Sequence, residues 1–131
     1  MYVLNQASVF EDQIKLQKRD GTNEILEIRF DITESLVKKY RELQIQMMNL
    51  QKKQKENPGD IGIVEEVGKV VVELFSALFG NENVERIMAF YANDYTKMCA
   101  ELFPYIQNVI VPEFQKILRQ RKQAYKKRNW K

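Results

Sequence analysis

From about Leu74 to Tyr125 the chain reads as one apolar helical pattern after another, which leaves room for little except a helix-dominated fold. The segment from Ile61 to Phe79 is the richest of these, with Ile63, Val64, Val67, Val70, Val71, Leu74, Phe75, Leu78 and Phe79. Those positions cover more than one helix face, so the spacing predicts a helix that is central or shared. One stripe, Val64, Val67, Val71, Leu74 and Leu78, suits the chain's own core. Ile63, Val70 and Phe79 are then left for another surface to bury. Gly80 stands where a positive-φ residue closes a helix, and Asn81 or Asn83 can open the next one, which carries Val84, Ile87, Met88 and Tyr91. Beyond the cap residue Asp94 the pattern runs Tyr95, Met98, Leu102, Tyr105, Ile106, Val109, Ile110, Phe114, Ile117, Leu118, Arg121, Tyr125. Pro104 and Pro112 interrupt it, and each removes a backbone donor, so kinks or a break are expected near Phe103 and Val111.

Upstream the period changes. Gln13 to Gln17 alternate apolar and polar, and so do the residues from Ile25 to Ile32, with Asp20-Gly21 between them as a hairpin turn. Ile14, Leu16, Ile28 and Phe30 then share one face. Two strands alone are marginal, so that face must lie on helices or on another copy of the chain. Thr33 can cap a helix whose apolar positions, Leu36, Tyr40, Leu43, Met47 and Leu50, are spaced 4, 3, 4, 3. Packing against neighbouring helices of the same chain accounts for that seam. Asn57-Pro58-Gly59-Asp60 is the clearest break. The expected architecture is mainly α with a small N-terminal β-hairpin, an α+β domain of four to five helices with a Pro-kinked C-terminal segment. Residues 1–131 form one domain in this reading: hairpin 10–32, polar helix 33–56, helical core 61–118, basic tail 119–131.

The residue inventory speaks against catalysis. The chain has no His and a single Cys, so the usual general base is missing and neither a zinc site nor a disulfide is expected. Cys99 falls in the apolar pattern Tyr95, Met98, Cys99, Leu102 and reads as an inert core thiol. Glu65, Glu66 and Glu73 read as a solvated face, and no phosphate loop, calcium loop or nucleophile set is visible. No cofactor or metal is expected. No apolar stretch approaches the roughly 18 residues that span a bilayer, and a lone Cys without a signal-like N-terminus fits a reducing compartment.

Charge is unevenly placed. Lys116 to Lys131 holds eight Lys or Arg and no acid, while the remaining 115 residues set 13 bases against 18 acids, a balance of −5. The end of the chain interleaves Arg119, Arg121, Lys122, Lys126 and Lys127 with Tyr125 and Trp130, a mixture that suits a protein contact or, alternatively, a small nucleic-acid-binding module. Cations at a helix C-terminus also complement its dipole without any partner. Met47 and Met48, with the surplus positions Ile63, Val70 and Phe79, suit adaptable contact with apolar segments of other proteins.

The order hairpin, polar helix, "VVVELFSALFGNENVERIMAFYANDYTKMCAELFPYIQNVIVPEFQKI" and basic end resembles the tail assembly chaperones of long, non-contractile-tailed phages and prophages. The stretch Leu78-Phe79-Gly80-Asn81-Glu82 followed by Val84, Ile87 and Met88 is similar to that family's "LFG-acid" helix turn. The resemblance implies a non-enzymatic assembly factor that binds the tape-measure protein, keeps its apolar segments soluble and helps recruit tail-tube subunits. It implies action in the host cytoplasm during virion assembly and absence from the mature virion. Genes of this kind often make a longer frameshifted product as well, and Lys126-Lys127 is a dipeptide that an A-rich slippery run can encode. Self-association through the hairpin edge and the spare face of the Ile61 to Phe79 helix belongs to the same expectation.

Overall fold

The computed structural model describes residues 1–128, with side chains through Gln123. Strands β1 (Val9–Gln17) and β2 (Asn23–Asp31) are followed by helices α1 (Glu34–Glu56), α2 (Ile61–Phe79), α3 (Asn81–Phe90) and α4 (Tyr95–Tyr105). A π-helical turn (Ile106–Ile110) then joins α4 to α5 (Val111–Arg128). The fold is mainly helical with an N-terminal antiparallel hairpin, the α+β architecture that the two periodicities predict.

The hairpin forms because its alternation matches the pleat. Phe10 pairs with Phe30, Ile14 with Leu26 and Asp12 with Ile28, so Phe10, Ile14, Leu16, Leu26, Ile28 and Phe30 share the inner face. Leu26 and Ile28 are fully enclosed there, each worth about 1.5–3 kcal/mol of apolar transfer. The outer face is polar, with Arg29 to Glu11 at 3.3 Å and Gln13 Nε2 donating to Glu27 Oε1 at 2.8 Å. In the turn Gly21 has φ 87°, and its N–H donates to Lys18 C=O at 3.1 Å. Asp20 Oδ1 accepts from Thr22 N–H at 2.9 Å and from its hydroxyl at 2.6 Å, bonds that hold the Asp20 carboxyl below the usual range.

The helices start where the caps place them. Thr33 Oγ1 accepts from Leu36 N–H at 3.1 Å, Asp94 Oδ1 from Lys97 N–H at 3.2 Å, and Asp60 Oδ1 from Gly62 N–H at 2.9 Å. Gly80, at φ 86°, separates α2 from α3 in a conformation that Cβ-bearing residues avoid. Asn83 does not open α3. Its side chain donates to Phe79 C=O and to Glu27 C=O on β2, which ties the helix pair to the sheet. The α1 seam, Tyr40, Leu43, Met47 and Leu50, is buried within the chain as expected, and α2 is its main partner.

Of the kinks or break expected at the prolines, the break does not occur, and an irregular turn stands near Val111. Helix passes through Pro104 inside α4, and no break occurs at Phe103 or Val111. Instead the π turn places a Val111 N–H to Ile106 C=O bond five residues long immediately before Pro112. The buried residues Met98, Leu102, Ile106, Ile110 and Phe114 are each four apart. In a regular α-helix a four-residue step drifts roughly 40°, so Phe114 would point roughly 160° away from Met98. An underwound turn cancels part of that drift, keeps the row on one face, and relaxes the clash of a proline ring with the carbonyl four residues back.

One connected core runs from Phe10 to Phe114. Phe30 stacks on Phe10 at 4.9 Å and meets Phe114 edge-on at 6.1 Å, and Phe114 meets Tyr40 at 5.7 Å, so the hairpin, α5 and α1 interlock through aromatic rings. A second aromatic set joins Phe75, Phe79, Phe103 and Tyr105.

Candidate functional site

The α1–α2 pair extends past the rest of the body. The Tyr95 ring that opens α4 lies over Gly68, 3.6 Å from where a Cβ would stand, and Phe103 meets Phe75 at 5.7 Å. Helix α4 therefore runs alongside α2 in the same direction and starts level with Gly68. The first two turns of α2 lie beyond that level. Val64, Val71 and Leu78 are seven apart and fall on one stripe, yet Val71 and Leu78 are enclosed while Val64 is 49% exposed. Ile61, on the stripe of Gly68 and Phe75, is 74% exposed, and Ile63 and Val67 are partly covered. On α1, Met48 and Ile45 are exposed too. Met48 lies with Lys52, Lys55 and Pro58 around a shallow depression at the end of the pair.

Three residues expected on a partner face are elsewhere. Val70 and Phe79 are buried inside the chain, and so is Met47. Val70 is closed in by α1 at the level of Leu50, Phe79 lies beside Phe75 and Tyr105, and Met47 belongs to the α1 seam that faces α2. Counting faces on one helix does not count how many neighbours the fold supplies; α2 touches α1, α3, α4 and β2. Conversely Val64, assigned to the core stripe, is half exposed because the stripe outruns its neighbours. Ile63 and Met48 keep positions that another chain can reach.

The basic end divides. The backbone continues as α5 through Arg128, so much of the expected tail is helix. Arg119 and Lys122 are exposed. Arg121 is engaged: it pairs with Glu34 at 3.2 Å and donates to Ile32 C=O at 3.4 Å, pinning α5 to the junction between β2 and α1. The side chains of Tyr125, Lys126 and Lys127, and the whole of Trp130, lie outside the described residues.

Cys99 is half-buried, and burial pushes its thiol up to about 11, so it stays protonated and poorly nucleophilic near neutral pH. Tyr91 and Tyr105 are held above the usual phenol range by burial and by donating to the carboxylates of Glu101 and Asp12, each at 2.7 Å. Those bonds brace a groove between β1 and α3–α4 with a volume of about 480 Å³, whose lining mixes Ile14, Leu16, Ile87, Phe90 and Leu102 with Lys15, Gln17, Lys97, Glu101 and the two tyrosines. Among the described residues no helix is long and apolar enough to cross a membrane, and no cluster of His, Cys, Asp or Glu could hold a metal ion. No family model matches the chain, and neither a curated protein nor a solved structure matches it.

Proposed function

We propose that this protein is a non-enzymatic tail assembly chaperone of a long-tailed, non-contractile phage or prophage, binding the tape-measure protein and helping to recruit tail-tube subunits in the host cytoplasm before the virion is complete. The observation that carries this reading is the uncovered apolar end of the α1–α2 pair, where Ile61 and Val64 continue a core stripe into solvent. A protein that must keep apolar segments of a long helical partner soluble needs a surface that behaves like a core with one wall missing. The exposed Met48 of α1, unbranched and adaptable, suits a partner whose sequence varies along its length.

Co-expression of the full chain with a tape-measure protein tests this. The soluble fraction of that partner is expected to rise, and the Ile61→Ser, Val64→Ser double variant is expected to lose the gain while its own circular dichroism stays unchanged. A partner no more soluble with the chain than without it ends the proposal. The nucleic-acid alternative rests on the exposed Arg119 and Lys122 of α5. Its signature would be binding that falls steeply with salt and disappears when both are replaced by Glu.

A further inference from the structure

The two edges of the hairpin are treated differently. Ile32 N–H donates to Ser8 C=O at 2.7 Å and Lys18 N–H to Thr22 C=O at 3.0 Å. With the observed register, these bonds make the even-numbered residues of β1 the ones bonded to β2. The main-chain groups of Glu11, Gln13, Lys15 and Gln17 therefore point away from β2. On the β2 side the outward carbonyl of Glu27 accepts from Asn83 at 2.8 Å, and Arg86 pairs with Glu24 at 3.4 Å, so α3 occupies the middle of that edge. On the β1 side Gln13 N–H is taken by Asp12 Oδ1, but among the described residues nothing bonds to the main chain of Lys15 or Gln17. Those two residues line the groove described above, whose floor is Ile87, Phe90 and Leu102. An open strand edge beside a groove with an apolar floor and polar walls, Lys97 and Glu101 among them, is a template for one more strand.

The same chain carries a segment suited to it. Met1 to Ser8 belong to no helix or strand, Tyr2 is 84% exposed and Leu4 is 83% exposed, and no charged side chain occurs between Tyr2 and Phe10. Tyr2 and Leu4, two apart, would enter the groove together. They cannot do so within their own chain. Ser8 is fixed opposite Ile32, so the tightest reversal before it lays Leu4, Val3 and Tyr2 beside Val9, Phe10 and Glu11, short of Lys15 and Gln17. A second copy has no such constraint.

We infer that the N-terminal segment of one copy adds as a strand to the Lys15–Gln17 edge of another, with Tyr2 and Leu4 seated over Ile87, Phe90 and Leu102. Reciprocal exchange closes a symmetric dimer. This does not depend on the chaperone reading, because it concerns only contacts between copies.

Sedimentation equilibrium of the full chain tests it with two variants. Tyr2→Glu/Leu4→Glu spoils the segment and leaves the groove intact. Lys15→Pro removes an N–H from the open edge and leaves the β1–β2 ladder intact. Each is expected to weaken self-association by at least about tenfold. Mixed together they are expected to associate more tightly than either alone, since one intact segment then meets one intact groove. Should Lys15→Pro disturb the circular dichroism, Gln17→Pro replaces it. A chain that stays monomeric at about 100 µM, association indifferent to the segment variant, or a mixture no tighter than its parts overturns the inference.

Discussion

From Gly68 to Phe79 the apolar side chains of α2 are packed among α1, α3, α4 and the sheet; from Ile61 to Val67 the same helix, with the same kind of residues, runs beyond the start of α4. Phe75 and Ile61 lie on one stripe, as do Leu78 and Val64, yet the first member of each pair is sealed and the second largely open. Periodicity chooses which way a side chain points. Whether anything waits there depends on where the neighbouring elements stop. The enclosed half holds the fold together, and the open half is available to another polypeptide.

The largest expected effect lies in the enclosed half. Phe75 is fully buried between Phe79 and Phe103, at 5.8 and 5.7 Å. Phe75→Ala removes an aromatic ring that the fixed α4 cannot move in to replace, and should cost about 3–5 kcal/mol in urea unfolding. A loss under about 1 kcal/mol would mean that the two halves of α2 are equally loose, and the contrast would fail.

A smaller effect of opposite sign is expected at the boundary. Gly68 is buried in mid-helix, and an added Cβ would touch the Tyr95 ring at 3.6 Å, ordinary van der Waals contact. Gly68→Ala should therefore stabilise the fold by about 0.5–1 kcal/mol through helix propensity alone. Destabilisation in the same titration would place α4 closer to α2 than the contrast assumes.

Much of this arrangement is legible in the sequence. Alternation about Asp20-Gly21 yields the hairpin and its inner face, and Thr33 and Asp94 mark helix starts by a chemistry that one residue carries alone. The 4, 3, 4, 3 seam of α1 is sequence-local in the same way. What fails is whatever depends on a second element. Val70 and Phe79 look surplus on a single helical wheel and are buried because α2 has several partners, while Val64 looks interior and is not. The π turn is a middle case. A row of apolar residues spaced strictly by four, from Met98 to Phe114, is incompatible with 3.6 residues per turn, so the conflict is visible in the sequence. Pro104 and Pro112 pointed to kinks or a break near Phe103 and Val111; the irregularity near Val111 is there, as a π turn rather than a break. The open edge at Lys15 and Gln17 needs the hydrogen-bond parity of the hairpin, which alternation alone does not supply.

The smallest expected stability change sharpens the contrast most. Ile61 and Val64 are 74% and 49% exposed, so Ile61→Ser removes little buried area, Val64→Ser only part of one small side chain's, and neither leaves an enclosed cavity behind. Each should shift the unfolding free energy by no more than about 0.5 kcal/mol, within the range of ordinary surface changes. Serine in the first turns of a helix already capped by Asp60 brings only a small propensity cost. If either substitution instead costs about 2 kcal/mol or more, the end of α2 is packed against something within the chain, and a surface reserved for partners is ruled out there. If stability holds while the gain in tape-measure solubility is lost, the two halves of α2 have separate jobs, and the same apolar stripe serves folding at one end and recognition at the other.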